Sequence, residues 1–243
     1  MTGAGGGIGR AVAVALAARG ARVAVSDVDE DAARAVAEEA GGGPAIHCDV
    51  SDRAAFETAL AATEDSLGGL DALVNNAGVE VLAPLGELSE EAFDRVFAVN
   101  VKGVWHGMSL AAPRLAAAGG GSIVNVSSVA ALGGGPLFGA YSASKAAVLR
   151  LTETAALELR PANIRVNAVC PGLVQTAMLD RLQPALAPLL PEPWDDFVAR
   201  KQGRPATAEE VAAAVVHLLD EEEAGFTNGI ALAVDNGLTA GLL

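Results

Sequence analysis

The stretch TGAGGGIG (residues 2–9) places Gly3, Gly7 and Gly9 at the start of a segment with helical periodicity, 8–19. Glycine lets the backbone approach a pyrophosphate closely, and a helix amino terminus supplies N–H donors and a positive dipole end. Further on, Asp27 ends a strand-like run, where a carboxylate can accept the adenosine ribose hydroxyls and repel a 2′-phosphate. The combination predicts a dinucleotide site that prefers NAD to NADP. The alternative for Asp27 is the N-cap of the next helix.

Short apolar runs alternate with helical segments along the whole chain of 243 residues. We predict strands over 22–26, 44–48, 72–75, 122–127, 165–170 and 230–234, and helices near 8–19, 29–40, 52–67, 89–118, 141–160 and 208–220. Continuous apolar strands are typical of a parallel sheet that is buried on both faces. The pattern predicts an α/β fold with a Rossmann-type doubly wound sheet, helices on both faces, and a single domain over 1–243.

The segment 175–205 interrupts this alternation. Between positions 184 and 193 it contains four prolines within an apolar stretch, and Trp194 follows them. In doubly wound folds ligands bind at the carboxyl ends of strands, and this segment follows the strand 165–170. We therefore expect an irregular helical lid over a substrate; the alternative is a surface insertion that only packs.

Composition excludes several classes of partner and site. The formal net charge is −14, with no basic run, which disfavours nucleic acid and anionic membrane surfaces as partners. No apolar run approaches the ~20 residues of a membrane span, and no signal-peptide pattern opens the chain, so we expect a cytoplasmic protein. The two cysteines and three scattered histidines have no metal-ligand spacing, so no metal site is predicted.

Tyr141 and Lys145 lie four residues apart in AYSASK (140–145), a spacing that places both on one face of a helix. A phenol with a pKa near ~10 is a poor acid or base at neutral pH. A neighbouring ammonium stabilises the phenolate and lowers that pKa, which would make the pair a usable general acid and base. Ser128 ends the strand-like run IVNVSS shortly before this helix, so its hydroxyl is a candidate third member of the site.

These motifs occur in a fixed order along nearly the whole chain. They are TGAGGGIG at 2–9, Asp49-Val50, NNAG at 75–78, Asn100 within VNVKG, Ser128, YSASK at 141–145, and Pro171-Gly172 followed by Thr176. In this order the chain resembles the short-chain dehydrogenase/reductase family. Taken singly, Asn75 could be a structural bridge, Asn100 a backbone partner, Ser128 a strand-end cap, and Pro171-Gly172 an ordinary turn.

The resemblance implies a cofactor site along the carboxyl edge of the sheet. The pyrophosphate would lie against Gly3, Gly7, Ile8 and Gly9, and the ribose against Asp27. Further contacts would come from Asp49 and Val50 at the adenine, Asn75, Ala77 and Gly78 along the cofactor, and Pro171, Gly172 and Thr176 at the nicotinamide.

The resemblance also implies four catalytic residues. Ser128 would hydrogen-bond the substrate oxygen and Tyr141 would exchange its proton. Lys145 would bind the nicotinamide ribose and lower the pKa of Tyr141, and Asn100 would hold a water that links Lys145 to solvent. We thus expect an NAD(H)-dependent oxidoreductase that interconverts a small-molecule secondary alcohol and a ketone. We also expect a homo-oligomer, a tetramer or dimer, assembled through the apolar helices 89–118 and 141–160.

One feature departs from the family pattern. The family has an apolar first strand immediately before this glycine loop, whereas here only Met1 precedes Thr2, so we expect the first central strand to be missing or truncated. Either the natural chain begins upstream and is an ordinary enzyme, or this chain is a poorly folded, inactive or cofactor-sensing protein. The intact set of Ser128, Tyr141 and Lys145 favours the enzyme.

Overall fold

Strands and helices alternate from the glycine loop to the carboxyl terminus of the chain. The computed structural model describes residues 1–241. The strands are β1 (Val25–Asp27), β2 (Ala45–His47), β3 (Ala72–Asn75), β4 (Gly121–Val126), β5 (Ile164–Pro171) and β6 (Ala231–Val234). The helices are α1 (Gly7–Ala18), α2 (Glu30–Glu39), α3 (Arg53–Leu67), α4 (Glu90–Phe97), α5 (Gly103–Ala117), α6 (Gly139–Leu159), α7 (Ala177–Leu186), α8 (Trp194–Gln202), α9 (Ala208–Leu219) and α10 (Glu221–Ala224).

All strand pairs are parallel, and they form two ladders. One has the order β1-β2 and the other the order β3-β4-β5-β6. Met1 and Thr2 lie between the ladders: the Thr2 N–H donates to the Val74 oxygen at 3.1 Å, and the Ser26 N–H donates to the Met1 oxygen at 2.9 Å. The expected first central strand is thus reduced to one bridge, between Thr2 and Ser26.

The shortened central position also explains a correction to the predicted strands. The run 22–26 was expected to be extended throughout, yet β1 begins only at Val25. Strand pairing starts where both β2 and the Met1-Thr2 bridge lie beside β1, because a strand needs a neighbour to satisfy its backbone. The other strand predictions agree with the structure to within one or two residues at most ends.

Apolar side chains cover both faces of the sheet. On one face Val124 and Val169 pack with Val12 of α1 and with Val211 and Val215 of α9. The opposite face is covered by α3, α5 and α6 and buries Phe56, Leu73, Val104, Leu115, Ile123, Val148 and Val166. The prediction of a doubly wound α/β sheet with helices on both faces is confirmed.

The single helix predicted over 89–118 is three elements. Between α4 and α5 the backbone widens into a π-helical segment, Ala98–Lys102, which contains Asn100. Such π segments insert an extra residue into a helix and frequently occur at functional sites. In the segment 175–205 the structure has α7, a 3₁₀ turn at Ala187–Leu189 and α8, so the irregular helical excursion is present. None of the helices within residues 1–241 has the length and apolar character needed to cross a membrane.

Candidate active site

A cavity of about 1310 Å³ opens at the carboxyl ends of the strands, between the glycine loop and the segment α7–α8. Ordinary ligand pockets hold ~300–1,000 Å³, so this one has room for a cofactor and a second ligand. Fourteen of the seventeen predicted site residues line it: Gly3, Gly7, Ile8, Asp27, Asp49, Val50, Ala77, Gly78, Ser128, Tyr141, Lys145, Pro171, Gly172 and Thr176. The other three, Gly9, Asn75 and Asn100, lie behind its wall.

The glycine loop fits a diphosphate in shape and in hydrogen-bonding capacity. Gly3 and Gly7 have φ values of +57° and +52°, which side-chain-bearing residues rarely adopt. A Cβ at Gly9 would lie 2.3 Å from the Gly3 oxygen, so Gly9 lets α1 pack against the loop rather than forming the cavity wall. Within residues 1–241 no side chain caps α1, and its first turn has no acidic residue. Its first N–H groups therefore remain available to an anion.

Asp27 is held at the cavity wall by the backbone. Its carboxylate accepts the Gly5 N–H at 2.8 Å and the Asp29 N–H at 3.1 Å. The N-cap of α2 is Asp29, which accepts the Ala32 N–H, so the capping alternative for Asp27 is wrong. The next lining residue, Val28, is apolar. A carboxylate at this position suits ribose hydroxyls and opposes a 2′-phosphate.

The expected adenine contacts follow the end of β2. Asp49 accepts hydrogen bonds from both the N–H and the hydroxyl of Ser51, which rigidifies this turn. His106 of α5 lies with its Nδ1 3.0 Å from the Val50 oxygen and supports the turn from below. Asp49 and Val50 thus form a fixed part of the cavity wall.

The structure separates the roles of the two adjacent asparagines, Asn75 and Asn76. Asn75 is buried and its Nδ2 donates to the Asn125 Oδ1 at 2.8 Å, so it braces β3 against β4 and does not line the cavity. Asn76 lines the cavity instead, and its Nδ2 donates to the Thr2 and Gly3 oxygens at 3.1 and 2.7 Å. The bridge alternative for Asn75 is correct, and Asn76 is the residue of this motif that holds the glycine loop.

Asn100 is fully buried, and its side chain is hydrogen-bonded to Val79 and Ser144. Its Oδ1 accepts the Val79 N–H at 2.8 Å, and its Nδ2 donates to the Val79 oxygen at 2.9 Å and the Ser144 hydroxyl at 3.0 Å. Asn100 therefore attaches the segment after Gly78 to α6. A Cβ at Gly78 would lie 3.3 Å from the Lys145 Nζ and 3.4 Å from the Asn100 Oδ1, so both groups flank this glycine.

Ser128, Tyr141 and Lys145 meet at the wall between the glycine loop and α7. Burial raises the pKa of Tyr141 to about 12, against the lowering effect of a hydrogen bond to Ser128, while the charge of Glu80 adds to the rise. Burial also lowers the pKa of Lys145 to about 8. The Lys145 Nζ donates to the Val126 oxygen at 2.9 Å and lies 5.8 Å from the Tyr141 ring centroid.

This geometry differs from the expectation that Lys145 lowers the pKa of Tyr141. The ammonium is directed to a backbone carbonyl, and the loss of hydration of a buried phenolate has the larger effect. Tyr141 therefore holds its proton at neutral pH.

The α7–α8 segment forms the apolar roof of the cavity. Gln202 at the end of α8 is 2% exposed, and its side-chain amide exchanges two hydrogen bonds of 2.8 Å with the backbone of Leu173, just after β5. Arg181 of α7 lines the cavity and forms an ion pair with Glu80, which lies in the connection between β3 and α4. The roof and adjoining walls include Val129, Leu132, Phe138, Met178, Leu179, Leu182, Leu186, Leu189, Leu190, Trp194 and Phe197.

Comparison with known proteins identifies the family. The sequence model of a family described as enoyl-(acyl carrier protein) reductase matches residues 3–239. The chain is 39% identical to 2-(R)-hydroxypropyl-CoM dehydrogenase of Xanthobacter autotrophicus, over 99% of this chain and 97% of that protein. The structure matches a short-chain type dehydrogenase/reductase from Mycobacterium marinum with a TM-score of 0.91 and 32% identity, over 99% of this chain and 94% of the other.

The chain belongs to the short-chain dehydrogenase/reductase family. A further solved structure, 3-ketoacyl-(acyl-carrier-protein) reductase from Brucella melitensis complexed with NADH, matches with a TM-score of 0.89 and 32% identity, over 98% of this chain and 96% of the other. This short-chain dehydrogenase/reductase is an oxidoreductase that acts on CH–OH groups of small molecules and uses a nicotinamide cofactor. Among residues 1–241 no cluster of three or more potential ligands could hold a metal ion.

Sequence reasoning missed three residues of this short-chain dehydrogenase/reductase site. Asn76 lies inside the NNAG motif, but the cofactor contact was assigned to its neighbour Asn75. Glu80 and Arg181 are 101 positions apart, and no local pattern connects them.

Proposed function

We propose that this chain is an NAD(H)-dependent dehydrogenase that interconverts a secondary alcohol and a ketone, with Tyr141 as the general acid and base. One observation carries the proposal: the hydroxyls of Ser128 and Tyr141 adjoin each other in a cavity wall between an anion-binding glycine loop and an apolar roof. The Asp27 carboxylate, with the apolar Val28 beside it, supports the preference for NAD over NADP.

In this mechanism Ser128 and Tyr141 bind the substrate oxygen and fix its position. With its pKa at about 12, the buried Tyr141 keeps its proton at neutral pH and can give it to the oxygen of a ketone that becomes an alcohol. In the opposite direction Tyr141 must first release its proton, and its phenolate then accepts the proton of the alcohol. Bound nicotinamide cofactor supplies or accepts the hydride. The α7–α8 lid excludes water from the reacting atoms.

Several residues would hold the cofactor. The α1 amino terminus with Gly3, Gly7 and Ile8 would bind the diphosphate, Asp27 the adenosine ribose, and Asp49 and Val50 the adenine. Lys145, Pro171, Gly172 and Thr176 would contact the nicotinamide half. Lys145, whose pKa is about 8, exchanges protons near neutral pH and is suited to pass a proton between Tyr141 and solvent.

The test is a panel of secondary alcohols and ketones assayed by NADH absorbance, with NADP as the competing cofactor. Tyr141→Phe keeps the ring that packs 6.0 Å from Phe138 and removes only the hydroxyl. We expect this variant to retain NAD binding by calorimetry and to lose turnover. Turnover that survives the substitution contradicts the role of Tyr141, while tight NAD binding without turnover in the unmodified chain identifies a cofactor-sensing protein.

We further propose a cytoplasmic homo-oligomer, a tetramer or dimer. The supporting observation is the apolar surface on the helices expected to form the contact: Phe93 is 39%, Trp105 47% and Leu157 67% exposed in the single chain. A contiguous patch of such exposed apolar side chains would mark a contact between subunits. Light scattering during size-exclusion chromatography measures the oligomeric state.

A further inference from the structure

Three consecutive glycines lie in the loop that connects Ser128 to Tyr141 along the chain. These glycines, at 133–135, all line the cavity, and we call them the glycine wall. Ser128 and Tyr141 bind the substrate oxygen in the proposed mechanism. A cavity-lining loop that joins these two residues is positioned to contact the groups attached to the reacting carbon.

Neither the backbone nor the packing of the protein requires glycine at 133 and 134. Neither residue has a φ in the left-handed region, and a Cβ at either position would have no protein atom within 4 Å. Gly172, in the same cavity, differs in this respect, because its Cβ would lie 2.4 Å from the Gln202 Oε1. Glycine also lets a ligand approach the backbone closely, and this is the use that remains for Gly133 and Gly134.

The third glycine connects the glycine wall to the tyrosine that exchanges the proton. A Cβ at Gly135 would lie 3.3 Å from the Phe138 Cδ2, so the glycine leaves room for the Phe138 ring beside the loop. The Phe138 and Tyr141 rings are 6.0 Å apart, centroid to centroid, at an interplanar angle of 54°. A single aromatic ring therefore separates the glycine wall from the Tyr141 ring.

Large apolar side chains that line the cavity are left exposed. Leu132, immediately before the glycine wall, is 48% exposed, and Leu189, in the 3₁₀ turn of the roof, is 54% exposed. Trp194 at the start of α8 also lines the cavity. Covering such side chains with an apolar ligand removes their surface from water, which favours binding.

Two arginines also belong to the cavity lining. Arg95 of α4 and Arg181 of α7 are both exposed, and Arg181 is paired with Glu80 at 2.9 Å. An arginine can cover apolar surface with its aliphatic stem while its guanidinium stays in water. These two residues therefore do not by themselves require an anionic substrate, and an anionic ketone is one arm of the test.

We propose that the substrate carries a cyclic apolar group on its reacting carbon, and that this group lies against the glycine wall under the apolar roof. The absence of side chains at 133 and 134 leaves the width that a ring needs, whereas an extended alkyl chain needs no such width. The inference rests on the proposed function and makes Gly133 and Gly134 specificity-determining residues for that reaction.

The experiment compares four methyl ketones: methyl cyclohexyl ketone, 2-octanone, butanone and 4-oxopentanoate. The first two have the same number of carbon atoms, butanone is small, and 4-oxopentanoate carries a carboxylate that Arg95 or Arg181 could bind. With NADH as the cofactor, we expect kcat/KM of the unmodified enzyme to be about tenfold or more higher for methyl cyclohexyl ketone than for butanone or 4-oxopentanoate. It should also be higher than kcat/KM for 2-octanone.

Gly134→Val fills the space beside the loop. We expect the ratio of kcat/KM for methyl cyclohexyl ketone to that for butanone to fall by about tenfold or more, and Gly133→Val should lower it as well. The control is Gly86→Val, in the connection between β3 and α4. Gly86 also has no left-handed φ and no atom within 4 Å of its Cβ, but it is not among the residues that line the cavity. This control should leave the ratio unchanged.

If Gly134→Val does not fold, as judged by its melting temperature, Gly134→Ala and Gly133→Val provide the same test. Calorimetric titration of the four ketones into the enzyme loaded with NAD separates this inference from the proposed function. If no ketone is reduced, the proposed function fails, while the order of the four affinities still tests the selection of a ring. The inference is overturned if methyl cyclohexyl ketone is not the preferred ketone of the four. It is also overturned if Gly134→Val changes kcat/KM for all four by the same factor, as a purely structural role of the loop would require.

Discussion

Replacing Lys145 with methionine should stabilise the folded chain while it removes catalysis. Lys145 is 4% exposed, and its ammonium donates a hydrogen bond to the Val126 oxygen. A buried ammonium is costly because it loses its hydration, which is why burial lowers its pKa from 10.5 to about 8. Methionine has a similar length, no charge and a flexible side chain that fills irregular space.

The magnitude follows from the pKa. The fall in the pKa of Lys145 from 10.5 to about 8 lowers the unfolding free energy at neutral pH by about 3 kcal/mol, since one pKa unit is ~1.36 kcal/mol. Removing the hydrogen bond to Val126 offsets ~1 kcal/mol of the gain. We expect Lys145→Met to be more stable by about 2 kcal/mol, which is about 4–8 °C in melting temperature for a domain of this size.

The pH dependence provides an independent check. Between pH 8 and 10.5 the unfolded chain keeps the lysine proton that the folded chain has released, so the contribution of Lys145 to stability rises with pH across this window. The variant has no such rise, and its advantage should be largest below pH 8 and disappear towards pH 10.5. Burial raises the pKa values of Cys48, Cys170 and Tyr141, which opposes this rise, but these groups are present in both proteins and cancel from the difference to first order.

Urea unfolding at pH 7 and at pH 10, with NADH formation as the activity assay, measures both effects. Lys102→Met is the control, because Lys102 is exposed, and its stability should stay within ~0.5 kcal/mol of the unmodified protein. A Lys145→Met variant that is no more stable at pH 7, or whose advantage does not depend on pH, would refute the reasoning.

Three other substitutions test the glycine loop, the attachment of α8 and an exposed ion pair. Gly9→Ala places a Cβ 2.3 Å from the Gly3 oxygen, so we expect the unfolding free energy measured in urea to fall by ~1–3 kcal/mol and NAD binding to weaken. The control is Gly6→Ala, whose Cβ would have nothing within 4 Å and should lower stability far less. Gln202→Leu leaves the two Leu173 backbone groups without the side-chain amide and should lower stability by ~1–3 kcal/mol and raise the substrate KM in NADH assays. Arg10→Gln removes an exposed pair with Glu39 and should change unfolding free energy by less than ~1 kcal/mol.

Local sequence patterns predicted what depends on local geometry. The glycines of the loop, the Asp27 carboxylate and the four-residue spacing of Tyr141 and Lys145 each follow from conformational or helical rules, and the structure places all of them at one cavity. Asn75 and Asn76 show where such rules stop. Successive residues at a strand end point in opposite directions, so only the pairing of β3 with β4 decides that Asn75 faces Asn125 and Asn76 faces the loop.

Two other features depend on the surroundings in three dimensions. The pKa of Tyr141 is set mainly by burial under the roof, which the spacing to Lys145 cannot report. The contact between Glu80 and Arg181 depends on where α7 lies relative to the connection after β3. Both are consequences of packing between distant segments, for which a single sequence has no local signal.

Hydrogen bonds to α6 explain how the catalytic pair is held in position. Polar groups hold one face of this helix at three levels, because the Ser144 hydroxyl accepts from Asn100 at 3.0 Å, the Lys145 oxygen accepts from Ser127 at 2.9 Å, and the Thr152 hydroxyl accepts from Asn125 at 2.9 Å. Rotation of α6 by one residue, about 100°, would break all three and leave buried polar groups unpaired, each at ~1–3 kcal/mol. These residues therefore keep Tyr141 beside Ser128. Asn125, which touches neither ligand site, belongs to the support of the active site as much as to the sheet.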